Sequence, residues 1–211
     1  MRFAVKVGKN WKEEVGRLPE SALIHVDLEV VPDFAEALKT KHQTVVSLRP
    51  DWIGGEYLGS EADRIDMLKK GIEAGADFVE IEADMVEQYR EGLIRLCNDK
   101  MCSTIIVLYY PSVPTRDDLK RDWGEFNDRA DFLKLDCAVS SHQECKQFLE
   151  MCKYENLIID GHGDKGELLG VLGGLCGFYF GYAKPEKAGK IMKITLTGFT
   201  VADFKKLEEK L

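Results

Sequence analysis

Along the chain, short runs rich in β-branched and aromatic residues alternate with stretches whose apolar residues recur every three or four positions. The short runs lie at 3–7, 22–30, 44–49, 78–83, 103–110, 132–139, 156–160 and 177–183. Helical patterns occupy 60–75, 85–99 and 141–154, and another closes the chain at 201–211. The spacing predicts strand and helix in alternation, with no Pro-rich or low-complexity linker, and so a single α/β domain across residues 1–211. Eight strands in a chain of this length fit a compact (β/α)8 barrel. An open doubly wound sheet is the competitor, but neither a GxGxxG nor a Walker A motif follows the first strand.

Alternation within each strand sorts the side chains by face. In a barrel, one face meets the helices and should be apolar, while the other points into the interior. In the second strand Ile24, Val26, Leu28 and Val30 form the helix-facing set, which turns His25, Asp27 and Glu29 inward. The same rule turns Arg49 inward in the third strand and Glu80 and Glu82 in the fourth. It turns Lys134 and Asp136 inward in the run DFLKLDCAV. Barrel interiors are normally layers of branched aliphatic side chains, so this many polar groups need either a function or a fully paired network. A structural ion-pair lattice is the plain reading for each carboxylate. Lys134 suggests more, because an amine in a low-dielectric site near Arg49 can have its pKa lowered, which suits attack on a carbonyl.

Composition narrows the partners. A net charge of −8 argues against a nucleic-acid surface, though a local basic site can still hold an anion. No apolar run approaches the roughly eighteen residues that a membrane span needs, and the N-terminus turns charged before a signal-peptide core could form. The six cysteines, at 97, 102, 137, 145, 152 and 176, show no CxxC pair and no metal-ligand spacing with histidine. They read as small thiols in a reducing cytoplasm. His42 and His142 read as surface residues on the helix side. The stretch KRDWGEFNDR reads as a solvated helix face with Trp123 and Phe126 packing inward.

The stretch TVVSLRPDWIGGEYLGSEADRIDMLKKGIEAGADFVEIEAD resembles the third-strand and fourth-strand region of type I 3-dehydroquinate dehydratases. DFLKLDCAV resembles that family's lysine strand, and GDKGELLGVLGGLCGFYFGYAKPEKAGKI its closing region, collinear from about residue 20 to 195. The resemblance implies a (β/α)8 barrel that removes water from 3-dehydroquinate through a lysine imine, within the shikimate pathway of aromatic amino acid biosynthesis. It implies no metal and no organic cofactor, since the imine is itself the electron sink, and it suggests a homodimer. Position by position, Lys134 matches the imine-forming lysine and Arg49 the substrate arginine. Gly54-Gly55 match the turn after that strand, and Glu80 and Glu82 match the two acids of strand four.

The chain also departs from the pattern. The family's Glu-x-Arg-x-Asp of strand two reads His25-Val26-Asp27-Leu28-Glu29 here, and the Glu before Gly-Gly is Ile53. The catalytic histidine after strand five falls at Tyr110, the arginine after strand seven near Gly170, and the closing glutamine at Lys190. His25 and Tyr110 are therefore the expected proton carriers beside Lys134, His25 being better suited by its ordinary pKa. Asp136, and His162 in the turn after strand seven, are further candidates. Arg49, Asp27, Glu82, Asp136 and Lys190 are the expected binding set for a small anionic oxo-acid, with Arg49 and Lys190 holding its carboxylate. Two other functions compete with dehydration: an aldolase-type or other lyase reaction on a different oxo-acid, and a barrel that binds without catalysis.

Overall fold

The chain runs β1 (Phe3–Val7), α1 (Trp11–Gly16), β2 (Leu23–Asp27), α2 (Phe34–Ala37), β3 (Thr44–Ser47), α3 (Glu61–Glu73), β4 (Phe78–Glu82) and α4 (Glu87–Lys100). It continues with β5 (Ser103–Tyr110), α5 (Arg116–Phe126), β6 (Phe132–Ala138), α6 (His142–Met151), β7 (Leu157–His162) and β8 (Gly181–Ala183). This computed structural model describes residues 3–152, 154, 156–163, 165, 166, 169 and 179–183. The predicted helix at 201–211, Lys190 and Cys176 lie outside the described residues.

The eight strands among the described residues are parallel and form one sheet in the order β7-β6-β5-β4-β3-β2-β1-β8. Its two ends meet where the Tyr179 amide donates to the Leu157 carbonyl at 3.1 Å, which brings the sheet nearly to a closed barrel. The strands bury both faces, as parallel strands must when helices cover one side. Ile24, Val26, Leu48, Ile81, Leu133 and Ile159 lie in the outer core, packed under the helices. Leu23, Val45, Phe78, Ile105, Ile158 and Phe180 plug the N-terminal end of the barrel.

Local chemistry fixes where the helices begin. Thr115 and Asp118 form a reciprocal capping box at the start of α5, and Ser141 and Glu144 do the same for α6. Ser60 caps α3 by accepting from the Asp63 amide at 3.1 Å. An aspartate before β4 and another before β6 clamp the neighbouring strand. Asp77 accepts from the Thr44 amide at 2.8 Å, and Asp131 from the Thr104 amide at 2.7 Å. Trp123 and Phe126 pack inward from α5 as the sequence predicts. The five described cysteines, Cys97, Cys102, Cys137, Cys145 and Cys152, are buried free thiols. Among the described residues no helix is long and apolar enough to cross a membrane.

Two expectations about side-chain direction are corrected here. β2 ends at Asp27, so Glu29 leaves the barrel wall and is exposed. His42 is buried rather than on the surface, with Nδ1 3.0 Å from the Ala22 carbonyl, in the connection that leads into β3.

Candidate active site

Above the apolar plug, the inward face of the barrel becomes polar. Its middle level holds His25 of β2, Ser47 of β3, Glu80 of β4, Lys134 of β6, Asp160 of β7 and Tyr182 of β8. Lys134 is 1% exposed. Its Nζ lies 2.9 Å from Glu80 Oε1 and 3.2 Å from Asp160 Oδ2, and it sits 4.0 Å from the centre of the Tyr182 ring. The Tyr182 hydroxyl donates to the same Glu80 oxygen. The ammonium thus has two carboxylates and an aromatic face around it, which is how a buried charge is made tolerable.

This arrangement reverses one expectation. Burial does push the Lys134 ammonium down, and Arg49 adds to that push. Glu80 and then Asp160 outweigh both, so the amine is held above the ordinary lysine value. Glu80 is the strong partner. Burial would raise its carboxyl, but the charges of Lys134, His25 and Arg49 bring it down to about 2. Asp160 behaves oppositely. Burial raises it, nearby Asp136 adds to that, and Lys134 only partly compensates, leaving Asp160 above the usual carboxylate range. Of the two acids holding the amine, Asp160 is the one that more readily takes a proton.

His25 lies in the same level, with Nε2 2.7 Å from Ser47 Oγ and its ring edge against Tyr182. Its Nδ1 is buried and, among the described residues, has no hydrogen-bond partner. Burial pushes this imidazole down to about 4 despite the pull of Glu80. An unfolded histidine titrates near 6.5, so the unfolded chain takes up a proton before the folded one does as pH falls. Stability that is complete above pH 6.5 is therefore expected to fall by about 3 kcal/mol toward pH 4, at about 1.4 kcal/mol per pH unit. Thermal unfolding at a series of pH values checks this. A His25→Gln variant should show a clearly shallower decline, and identical slopes in the two proteins would refute the assignment.

The C-terminal mouth carries the remaining groups. Gly54 takes φ +80°, and a Cβ on Gly55 would fall 1.9 Å from the Arg49 carbonyl oxygen. This pair lets the chain turn sharply just after Arg49 and hold its guanidinium over the barrel. Arg49 Nη2 lies 2.7 Å from Asp136 Oδ2, and the other Asp136 oxygen lies 2.8 Å from His162 Nδ1. Burial would raise Asp136, but the His162 hydrogen bond and the charges of Lys134 and Arg49 hold it well below the carboxylate range. Gly161, between Asp160 and His162, meets the Gly166 backbone so closely that a Cβ would lie 2.6 Å from its carbonyl oxygen.

Other predicted residues sit elsewhere or are already engaged. Tyr110 faces the helices, not the barrel, and its hydroxyl donates to Asp122 of α5 at 2.8 Å. Burial, then that contact, raises its phenol further above its ordinary value. The assignment as a proton carrier is corrected on this ground: Tyr109 is the inward tyrosine of β5, stacked on His162 with ring centres 4.8 Å apart. Asp27 pairs with Lys6 Nζ at 3.2 Å and accepts from the Glu29 amide. Glu82 is taken up by Arg64, a buried α3 arginine that also donates to the Leu48 carbonyl. The structure thus brings Lys134, Glu80, Asp136, Arg49 and His25 together, while Asp27 and Glu82 have partners of their own. Among the described residues no group of three or more His, Cys, Asp or Glu is placed to hold a metal ion.

Asp160, Tyr182 and Tyr109 were not predicted. Leu157 and Ile159 on the helix side imply Asp160 inward by the rule that placed Lys134, and the six-residue β7 carries it into the barrel. The same alternation from Phe180 gives Tyr182.

The profile of the family described as Type I 3-dehydroquinase matches residues 23–199. A 3-dehydroquinate dehydratase of Methanocaldococcus jannaschii is 30% identical over 146 residues, which cover 67% of this chain and 64% of the relative. The matched segment therefore spans just under two thirds of that protein. Among solved structures, a 3-dehydroquinate dehydratase from Geobacillus kaustophilus superposes with a TM-score of 0.74 at 17% identity, covering 94% of this chain and 92% of that one. A type I enzyme from Clostridium difficile, described with covalently modified comenic acid, gives 0.73 at 16% identity, covering 98% and 89%. At these identities the structural likenesses show the barrel fold.

Proposed function

The chain belongs to the type I 3-dehydroquinase family, and on that premise we propose that it is a lyase that dehydrates 3-dehydroquinate through an imine on Lys134. The observation that carries this reading is Lys134 itself, an inward amine at the polar centre of the barrel, below a guanidinium able to hold an anion. In the resting protein that amine is charged and must first lose a proton. Asp160, 3.2 Å away and raised by burial, is the acceptor the site offers. Entry of substrate expels water, and in a drier site a neutral amine beside a neutral acid becomes favoured over the ion pair.

The free amine attacks the ketone carbon, and loss of that oxygen as water leaves an iminium. Removal of a proton from the adjacent carbon gives an enamine, whose electrons expel the hydroxyl group one carbon further on as a second water. Hydrolysis returns the amine and releases 3-dehydroshikimate, so the net change is one water lost. In this reading Arg49 is the group that holds the substrate carboxylate. The same reading takes the enzyme to be cytoplasmic, homodimeric and active in the shikimate pathway without a metal or organic cofactor.

One observation favours a second reading, a barrel that binds a ligand without reacting. In the resting state the amine is closed between Glu80, Asp160 and the Tyr182 ring. Ultraviolet absorbance separates the two, because dehydration creates a carbon–carbon double bond conjugated with the ketone. Turnover of 3-dehydroquinate supports the lyase. Calorimetric binding without any rise in absorbance would leave the binding barrel. Tyr110→Phe should keep activity within about threefold, since the hydroxyl faces α5, and should cost about 1 kcal/mol for the lost hydrogen bond. A tenfold loss in kcat would contradict its placement.

A further inference from the structure

We propose that the proton-transfer group of this site is His162 of β7, with Asp136 as its positioning residue. This inference rests on the lyase reading above. It moves proton transfer from the fifth strand to the seventh, because the tyrosine at the expected position points out of the barrel.

The tautomer of His162 follows from its neighbours. Asp136 is buried and held ionised by Arg49 and Lys134, and an ionised carboxylate only accepts hydrogen bonds. The 2.8 Å contact to Nδ1 therefore requires the proton on Nδ1, which leaves the Nε2 lone pair available as a base. Among the described residues nothing else bonds to Nε2. The ring plane is fixed as well, because Tyr109 stacks on it at an interplanar angle of 8°. A base oriented by a carboxylate and held flat by an aromatic ring is an arrangement suited to directional proton transfer. Its side chain is 33% exposed, so it stands where substrate enters, while Lys134 lies sealed below.

Strand register supplies the spacing. Lys134 pairs with Ile158, Asp136 with Asp160, and Ala138 with His162. The lysine side chain reaches up to Asp160 Oδ2 at 3.2 Å, so His162 stands one inward step of two residues, ~6.6 Å along the strand, above the amine. A six-membered cyclic keto acid, bound through its carbonyl to the amine, would extend up this gap toward the imidazole. In this geometry Nε2 takes the proton from the carbon beside the imine and returns it to the departing hydroxyl, so that the base ends the cycle as it began.

The test uses the full chain and 3-dehydroquinate. His162→Gln should lower kcat by on the order of 10²- to 10⁴-fold while changing KM by less than about threefold. Borohydride should still trap substrate on Lys134 in this variant, since imine formation precedes the lost step. In His162→Ala, added imidazole should restore part of the rate, a readout that a purely structural residue would not give. Asp136→Asn should lower kcat on its own but add little to His162→Gln, as expected for residues acting as one unit. Retained turnover in His162→Gln with Lys134 still trapped would overturn this inference and leave the lyase reading standing. Neither turnover nor trapping in the unaltered protein would overturn both.

Discussion

Replacing Lys134 with methionine is expected to abolish the proposed dehydration, lowering kcat by on the order of 10⁴-fold or more, as loss of a covalent nucleophile does. Methionine keeps most of the apolar stem but offers no amine. The consequence for stability is separable from that for chemistry. Glu80 would keep Arg49 nearby, while Asp160, already raised by burial, would lose the cation that partly offsets that shift. Denaturant unfolding should therefore report a loss of about 3 kcal/mol, at the lower end of the range for breaking a buried pair. A folded Lys134→Met protein that still turns over 3-dehydroquinate would remove the nucleophile from the mechanism.

Glu80→Gln is expected to destabilise the protein by about 3 kcal/mol at neutral pH, because it leaves the Lys134 ammonium with Asp160 as its one close acid. The pH dependence carries the sign. Glu80 is depressed from 4.5 to about 2, so its contribution is complete above pH 4.5 and is lost as pH falls toward 2. Lys134 is raised above 10.5, so its contribution is complete below that value and is lost as pH rises through the folded value. The stability difference between wild type and Glu80→Gln should therefore be level from about pH 5 to pH 9 and shrink on further acidification. Urea unfolding at several pH values checks this, and a difference below about 0.5 kcal/mol at pH 7 would show that the pair contributes little.

The barrel was legible because each strand carries its own phase marker. In β2, β4 and β6 two polar or charged residues sit two positions apart, so one face is plainly polar and Lys134, Asp136 and Glu80 fall inward. In β5 the marker is missing. STIIVLYY is apolar throughout, since a parallel strand under helices buries both faces, and periodicity cannot say which tyrosine of the pair points in. Alignment with the family pattern then selected Tyr110, one residue off the inward face.

The pairing of charges was not legible at all. Sequence placed Arg49 near Lys134 and so suggested a lowered amine. The register pairs Asp160 with Asp136, and the contact that brings Asp160 to 3.2 Å from the lysine amine belongs to tertiary structure. Arg64 illustrates the same limit. It lies on a helix with ordinary amphipathic spacing, and only the fold shows it reaching the mouth to occupy Glu82.

Borohydride reduction in the presence of 3-dehydroquinate bears most directly on the central claim, that the Lys134 amine forms an imine with a keto acid. The expected result is a ligand-derived mass on the peptide carrying Lys134, absent from Lys134→Met. An unlabelled Lys134, under conditions where a type I relative is labelled on its own lysine, would contradict it.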